Sequence, residues 1–257
     1  MRVRKRFGQH FLHDRGVRQR IVDAIDPQAG EHVVEIGPGP GALTEGLIKA
    51  AGRIDAIEID RDLAAELRAR FGAALDLHEG DALDFDFETL ARQRGGPLRI
   101  VGNLPYNIST PLLFHLLKSV DHVVDLHVML QKEVIDRMAA APGDDAYGRL
   151  TVMLAPRLEI THLFDVGPGA FQPPPRVWSA VARLSVLPQP RFVVPPAFAA
   201  VVAAAFMQRR KTLRNSLRAL IPLEAFEACG VDPGARPETL APAAFAALAA
   251  LAPTPAV

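Results

Sequence analysis

The segment Asn103-Leu104-Pro105-Tyr106 is the most specific arrangement of functional groups in the chain. A side-chain amide, a backbone carbonyl, a proline that fixes the turn and a flat aromatic ring stand in consecutive positions. The exocyclic amino group of adenine is a poor nucleophile, because its lone pair is delocalised into the ring. Acceptors aimed at its two hydrogens, the Asn103 oxygen and the Leu104 carbonyl, would favour a pyramidal nitrogen as charge develops during group transfer. Tyr106 offers a face for a base extruded from its stack, an interaction of roughly 1–3 kcal/mol per base, and Phe171 is expected to supply a second face. Chemistry of this kind is mostly positioning and needs no nucleophilic side chain and no metal. His78, His115, His122, His127 and His162 accordingly lack ligand spacing.

A second constellation precedes it. The apolar run His32-Val33-Val34-Glu35-Ile36 leads into Gly37-Pro38-Gly39-Pro40-Gly41 and then a helical pattern. A glycine turn after a strand lets a ligand approach the backbone, although alone it is often only a turn. Glu58 closes the next strand about twenty residues on, where a carboxylate accepts ribose hydroxyls. Two nucleoside cofactors fit this pattern, a nicotinamide dinucleotide and S-adenosyl-L-methionine. A pyrophosphate needs backbone donors at a helix N-terminus. Pro38 and Pro40 remove two of them and Glu35 adds a carboxylate, which suits a cationic methionine moiety better. Asp81, after the third strand, is placed to accept from a cofactor adenine amino group or to be an exposed turn residue.

The elements that must position these groups are legible from His32 to Val128, where β-rich runs alternate with helical stretches, the pattern of an α/β fold with a parallel sheet. Strands are expected at 32–36, 53–59, 75–79, 98–102 and 123–130, with helices notably at 42–50 and 62–70. A helix at 147–155 and two runs at 157–164 and 178–186, which would extend the sheet at one edge, follow. Leu187-Pro188-Gln189-Pro190 reads as a linker, and the alanine-rich remainder predicts helices at 196–207, 211–220, 223–229 and 242–250. The expected organisation is an α/β domain over 1–187 and a small all-helical domain over 188–257.

The 257 residues are 49% apolar and 23% charged, an ordinary globular composition. One cysteine, Cys229, allows no internal disulfide, and no apolar run of about eighteen residues marks a membrane span. No export signal is read, so the expected setting is the cytoplasm, with no membrane partner. Formal charge is zero, yet Arg2, Arg4, Lys5, Arg6, Arg15, Arg18 and Arg20 crowd one end and Arg209, Arg210, Lys211, Arg214 and Arg218 a late segment. These are either solvated faces or nucleic-acid footprints.

Taken in order, the motifs at 4–12, 35–39, 102–110, 130–133, 147–150, 171–177 and 208–217 resemble the ribosomal RNA adenine dimethyltransferases, the KsgA family, over nearly the whole chain. The resemblance implies a Rossmann-like S-adenosyl-L-methionine-dependent methyltransferase domain with a helical companion. It implies dimethylation of two adjacent adenosines in the hairpin at the 3′ end of small-subunit ribosomal RNA, with a role in small-subunit biogenesis on immature particles. Cofactor contacts fall on Leu12, Gly37, Glu58, Asp81 and Asn103, and on His10, where the family commonly has Asn. Asn103, Leu104, Pro105, Tyr106 and Phe171 would surround the target base. Arg4, Lys5, Arg6, Arg209, Arg210, Lys211 and Arg214 would hold RNA backbone. A monomer is expected, since no exposed apolar stripe is evident. The rivals are a methyltransferase of large-subunit RNA, an assembly checkpoint whose binding matters more than catalysis, and a nicotinamide-dependent dehydrogenase, for which no acid/base residue is found.

Overall fold

The computed structural model describes residues 10–208 and 211–252. In chain order the elements are β1 (Phe11–Leu12), α1 (Arg15–Ile25), β2 (His32–Ile36), α2 (Thr44–Ala51), β3 (Ile54–Glu58), α3 (Arg61–Phe71), β4 (Leu75–Glu79), α4 (Phe87–Arg94), β5 (Leu98–Asn103), α5 (Ser109–Leu117) and β6 (Val123–Gln131). After these come α6 (Lys132–Ala139), α7 (Arg149–Leu154), β7 (Leu158–Val166), β8 (Phe171–Gln172), β9 (Ser179–Val186), α8 (Phe198–Phe206), α9 (Leu213–Leu217), α10 (Leu223–Ala228) and α11 (Pro242–Ala250).

Seven strands form one sheet in the order β4-β3-β2-β5-β6-β9-β7. The β4 to β6 portion is parallel and β9 runs antiparallel to β6. This is the Rossmann-like α/β sheet that the sequence predicts, with the two late runs extending one edge. Central strands of a parallel sheet are covered on both faces, so they read as unbroken apolar runs. Val33, Val34 and Ile36 on β2 and Ile100 and Val101 on β5 are at most 2% exposed. Against that background Glu35, itself 3% exposed near the carboxyl end of β2, is out of place by composition and therefore informative.

The chain falls into two compact units, one holding the described residues up to 135 with 160–186, the other 136–159 with the residues from 187 onward. Segment 136–159 thus groups with the C-terminal helices, whereas the boundary expected at 187/188 cuts the chain once. The reason lies in Tyr147 and Val152, which are buried among Phe198, Val201, Leu213, Phe226 and Phe245. The Tyr147 hydroxyl donates to the Leu240 carbonyl at 2.7 Å. Helix α8, apolar on every side, buries Phe198, Val201, Val202 and Ala205 in this core and leaves Ala199 and Ala200 exposed. The late basic segment forms a shorter helix than its composition suggests, because Thr212 is extended and α9 begins only at Leu213.

The N-terminal stretch departs from a simple basic arm. Asp14 accepts the Val17 N–H and starts α1, whose Ile21 and Ile25 enter the core. Arg18 donates twice to the Leu12 carbonyl, and the Arg20 guanidinium lies 3.8 Å above the Phe164 ring. These two cations of the cluster are used inside the protein. Just before α1, strand β1 pairs antiparallel with β8, Leu12 opposite Phe171 and Phe11 opposite Gln172.

Candidate active site

A cavity of about 350 Å³ opens at the carboxyl ends of β2, β3 and β5, where open parallel sheets place their ligands. Its walls include His10, Leu12, Gly37, Glu58, Asp81, Asn103, Leu104, Pro105 and Tyr106, together with Glu35. Residues spread over almost a hundred positions of sequence are gathered because β2, β3 and β5 are neighbours whose carboxyl ends share one rim.

The turn after β2 is built for close approach. Gly37 and Gly39 both have positive φ, 66° and 55°, a region in which only glycine is unstrained. A Cβ on Gly39 would come within 3.2 Å of the Phe11 ring. The Gly37 N–H is held by the Ile57 carbonyl and the Gly41 N–H by that of Pro38. The Gly39 N–H points to Glu58 Oε2 at 3.1 Å, while Glu58 Oε1 accepts the Asp60 N–H at 2.9 Å. Glu58 is thereby fixed at 4% exposure with roughly half of its about four acceptor sites still open. Burial raises its pKa above the ordinary carboxylate value, and the Asp60 charge adds to the effect. Asp81 lines the cavity, and its Oδ1 accepts the Leu83 N–H at 2.9 Å.

Glu35 is the strongest electrostatic feature of the cavity. Its Oε2 accepts the Thr44 hydroxyl at 2.6 Å, and among the described residues it has no cationic partner. Burial lifts its pKa to about 7, the Thr44 bond opposing and the Glu58 charge reinforcing the shift. Two buried carboxyls thus line one cavity, and burial favours the neutral form of each.

At the end of β5, Asn103 Nδ2 donates to the His10 carbonyl at 3.2 Å. With its N–H side committed, the amide presents Oδ1 as the acceptor. The Leu104 N–H is taken by the Met129 carbonyl, and the Ile108 N–H by that of Pro105. Gly102 makes this turn possible, since a Cβ there would lie 2.6 Å from Leu104 and 3.0 Å from the Ile36 carbonyl. Tyr106 is half-buried, with its hydroxyl 2.7 Å from Ser179 Oγ and its ring stacked at 5.7 Å and 28° on His10. His10 Nδ1 in turn lies 2.8 Å from the Pro173 carbonyl.

Phe171, expected as a second stacking face, is instead 1% exposed, packed in the core with Leu12, Phe164 and Val181, and does not line the cavity. Its pairing with Leu12 turns the ring inward, so Tyr106 and His10 are the rings at the rim. His10, expected as a cofactor contact, reaches the site in two ways that its side chain alone did not suggest, through its carbonyl to Asn103 and its ring to Tyr106. Ser179 and Thr44 carried no sequence signal, since each meets its partner only through the fold. Of the cations expected on RNA, Arg4, Lys5, Arg6, Arg209 and Arg210 lie outside the described residues, while Lys211 and Arg214 are exposed at the start of α9. Among the described residues no helix is long and apolar enough to cross a membrane, and no three His, Cys, Asp or Glu side chains form a metal cluster.

Comparison with known proteins agrees with this geometry. Residues 1–252 match the family model for ribosomal RNA adenine dimethylase. The chain is 56% identical to the ribosomal RNA small subunit methyltransferase A of Thiobacillus denitrificans, covering 96% of each chain. It is 53% identical to the protein of the same name from Pseudomonas aeruginosa, over 96% of this chain and 94% of that one. Among solved structures, a dimethyladenosine transferase from Plasmodium falciparum superposes with a TM-score of 0.80 at 25% identity, covering 95% and 99% of the two chains. The 23S rRNA methyltransferase ErmE gives 0.71 at 26% identity, covering 93% and 98%. A chain with this cavity, this Asn103 turn and these relatives belongs to the ribosomal RNA adenine dimethylase family.

Proposed function

We propose that the protein dimethylates N6 of two adjacent adenosines in the 3′-terminal hairpin of small-subunit ribosomal RNA, acting as a cytoplasmic monomer on immature small subunits. The observation that carries this reading is the Asn103 amide, whose nitrogen is engaged by the His10 carbonyl, in the wall of the cavity that Glu35 and Glu58 also line. The relatives at 53–56% identity are named for the small subunit, which favours that substrate over the large-subunit RNA named for ErmE.

S-adenosyl-L-methionine, when bound, supplies an electrophilic methyl group carried on a positively charged sulfur. The residues present fit it: Glu58 would hold the ribose hydroxyls, Asp81 would hold the adenine amino group, and the Gly37–Gly39 turn allows backbone approach. Glu35, whose pKa burial lifts to about 7, would be held ionised by a cationic ligand and would favour it in return. On the substrate side, Asn103 Oδ1 and the Leu104 carbonyl accept from the two N6 hydrogens, localise the lone pair and stabilise the charge that grows on nitrogen. Tyr106 carries the extruded base. Alignment of nitrogen and methyl group does the rest. Lys211 and Arg214, with Arg4, Lys5, Arg6, Arg209 and Arg210, are assigned to RNA phosphates.

The test is transfer of a labelled methyl group from S-adenosyl-L-methionine to small-subunit particles lacking the modification, followed by nucleoside analysis. N6,N6-dimethyladenosine confined to the terminal hairpin is the expected product. Binding of particles without incorporation would replace this reading with that of an assembly factor.

A further inference from the structure

Tyr106 follows Pro105 in an irregular turn ahead of α5, a part of the backbone that does not itself dictate the angle of a ring. Something else has to hold it. Its hydroxyl lies 2.7 Å from the hydroxyl of Ser179, at the first position of β9. Ser179 is fully buried and its backbone is locked into the sheet opposite Gln131. The preceding residue is tied down as well, because the Trp178 carbonyl accepts the Lys132 N–H at 2.9 Å. Sheet register places the anchor relative to the chemistry: Asn103 is opposite Met129 on β6, and Met129 is opposite Val181 on β9. Ser179 therefore projects from the same rim as Asn103, two strands away. Each hydroxyl is both donor and acceptor, and the Tyr106 hydroxyl stays protonated because burial raises its pKa, the Ser179 bond opposing.

We propose that Ser179 is a positioning residue of the transfer reaction: its hydroxyl pins the Tyr106 hydroxyl and sets the plane of the ring against which the target adenine lies. The proposal rests on the reading of Tyr106 as the base platform. A tyrosine pinned at its far end cannot rotate with an incoming base, so the base has to adopt the ring's plane, and that plane is referenced to the strand that abuts the catalytic turn. A phenylalanine at 106 would offer the same stacking area without that reference.

A double-mutant cycle on the full-length protein separates this role from a structural one. Ser179→Ala, Tyr106→Phe, their combination and Ser179→Thr are compared for methyl transfer to unmodified particles. Cofactor affinity and the thermal midpoint are followed in parallel. Losing one hydrogen bond is expected to lower kcat by about tenfold in either single variant, with KM for particles and cofactor affinity nearly unchanged. The combination is expected to be no worse than either single variant, and Ser179→Thr to restore transfer. Multiplicative losses in the combination, or wild-type transfer in Ser179→Ala, would overturn the role of Ser179 while leaving the platform intact. Tyr106→Ala tests the platform itself: full activity in that variant would overturn the underlying reading, and the proposal with it.

Discussion

The two ends of the central sheet both bury carboxylates and treat them in opposite ways. At the amino end, Asp55 is 4% exposed and is met by Arg94 through two hydrogen bonds of 2.6 and 2.8 Å and by His78 at 2.7 Å. Three strands away, Asp125 on β6 is gripped by Arg99 at 3.0 and 3.1 Å and by Arg183 at 3.0 Å, and Arg99 is completed by Glu31 and by the Ile25 and Asp26 carbonyls. At the carboxyl end, Glu35 and Glu58 receive neutral donors, a hydroxyl and backbone N–H groups. Burial would raise Asp55, but His78 and Arg94 outweigh it and hold its pKa below the ordinary value, whereas burial prevails at Glu35. Charge at the amino end is neutralised by cations within the fold; at the carboxyl end burial raises the pKa of both carboxyls instead.

That contrast has a sign in pH. A depressed carboxyl such as Asp55 contributes stability above its unfolded pKa, and the contribution disappears as pH falls through the acidic range. A raised carboxyl such as Glu35 acts the other way: the fold retains a proton that the unfolded chain has released, so stability drops as pH rises from the ordinary carboxylate range through about 7.

The largest test of the contrast is Arg99→Met, which strips Asp125 of its main partner and is expected to cost about 3–5 kcal/mol in urea unfolding, with cofactor affinity of the folded protein retained. A cost under about 1 kcal/mol would mean that Arg183 suffices and that the amino end is over-provided. Next comes Asn103→Ala, expected to reduce transfer by about 10²–10³-fold, with cofactor affinity weakened yet measurable and unfolding nearly unchanged; near-normal transfer would remove the amide from the mechanism. Glu35→Gln should move stability and affinity in opposite directions at pH 8. The ligand-free protein gains on the order of 1–3 kcal/mol, while S-adenosyl-L-methionine binds about tenfold more weakly. In the unaltered protein affinity should climb by about tenfold between pH 6 and pH 8, and a pH titration by calorimetry that is as steep in the variant would exclude Glu35 as the source. The smallest effect is expected from the exposed cations: replacing Lys211 and Arg214 by alanine should reduce the salt slope of RNA binding by about 0.7–0.9 for each phosphate no longer neutralised, and an unchanged slope would detach α9 from the RNA.

What could be read in advance was whatever is encoded locally. The glycine turn, Glu58 at the end of the next strand and the Asn103 turn each depend on residues within a few positions of one another, and the parallel sheet follows from apolar runs of strand length. What could not be read depends on partners far apart in sequence: His10 with Asn103, separated by 93 residues, and Tyr106 with Ser179, separated by 73. Phe171 illustrates a different failure. An aromatic residue in a Pro-rich segment serves equally as a stacking surface or as core, and only the β1–β8 pairing, two residues on each strand, decides for core. Arg18 and Arg20 belonged to a basic run by composition and to the intramolecular contacts of helix α1 by geometry, because a guanidinium caps a carbonyl or covers a ring as readily as it binds phosphate.

The β1–β8 ribbon also imposes a schedule. Phe11, which packs on Gly39, is held in strand β1, and His10, whose carbonyl meets Asn103, is tied to the Pro173 carbonyl; both partners lie about 160 residues downstream. At about 5–20 residues per second of synthesis, the beginning of the chain waits roughly ten to thirty seconds before the segment that fastens it exists. During that interval the β2, β3 and β5 edge can already pair, yet the wall formed by residues 10–12 is not secured. A nascent chain is thus kept from completing its cofactor pocket until nearly the whole α/β unit has been made, so that competence arrives late and at once.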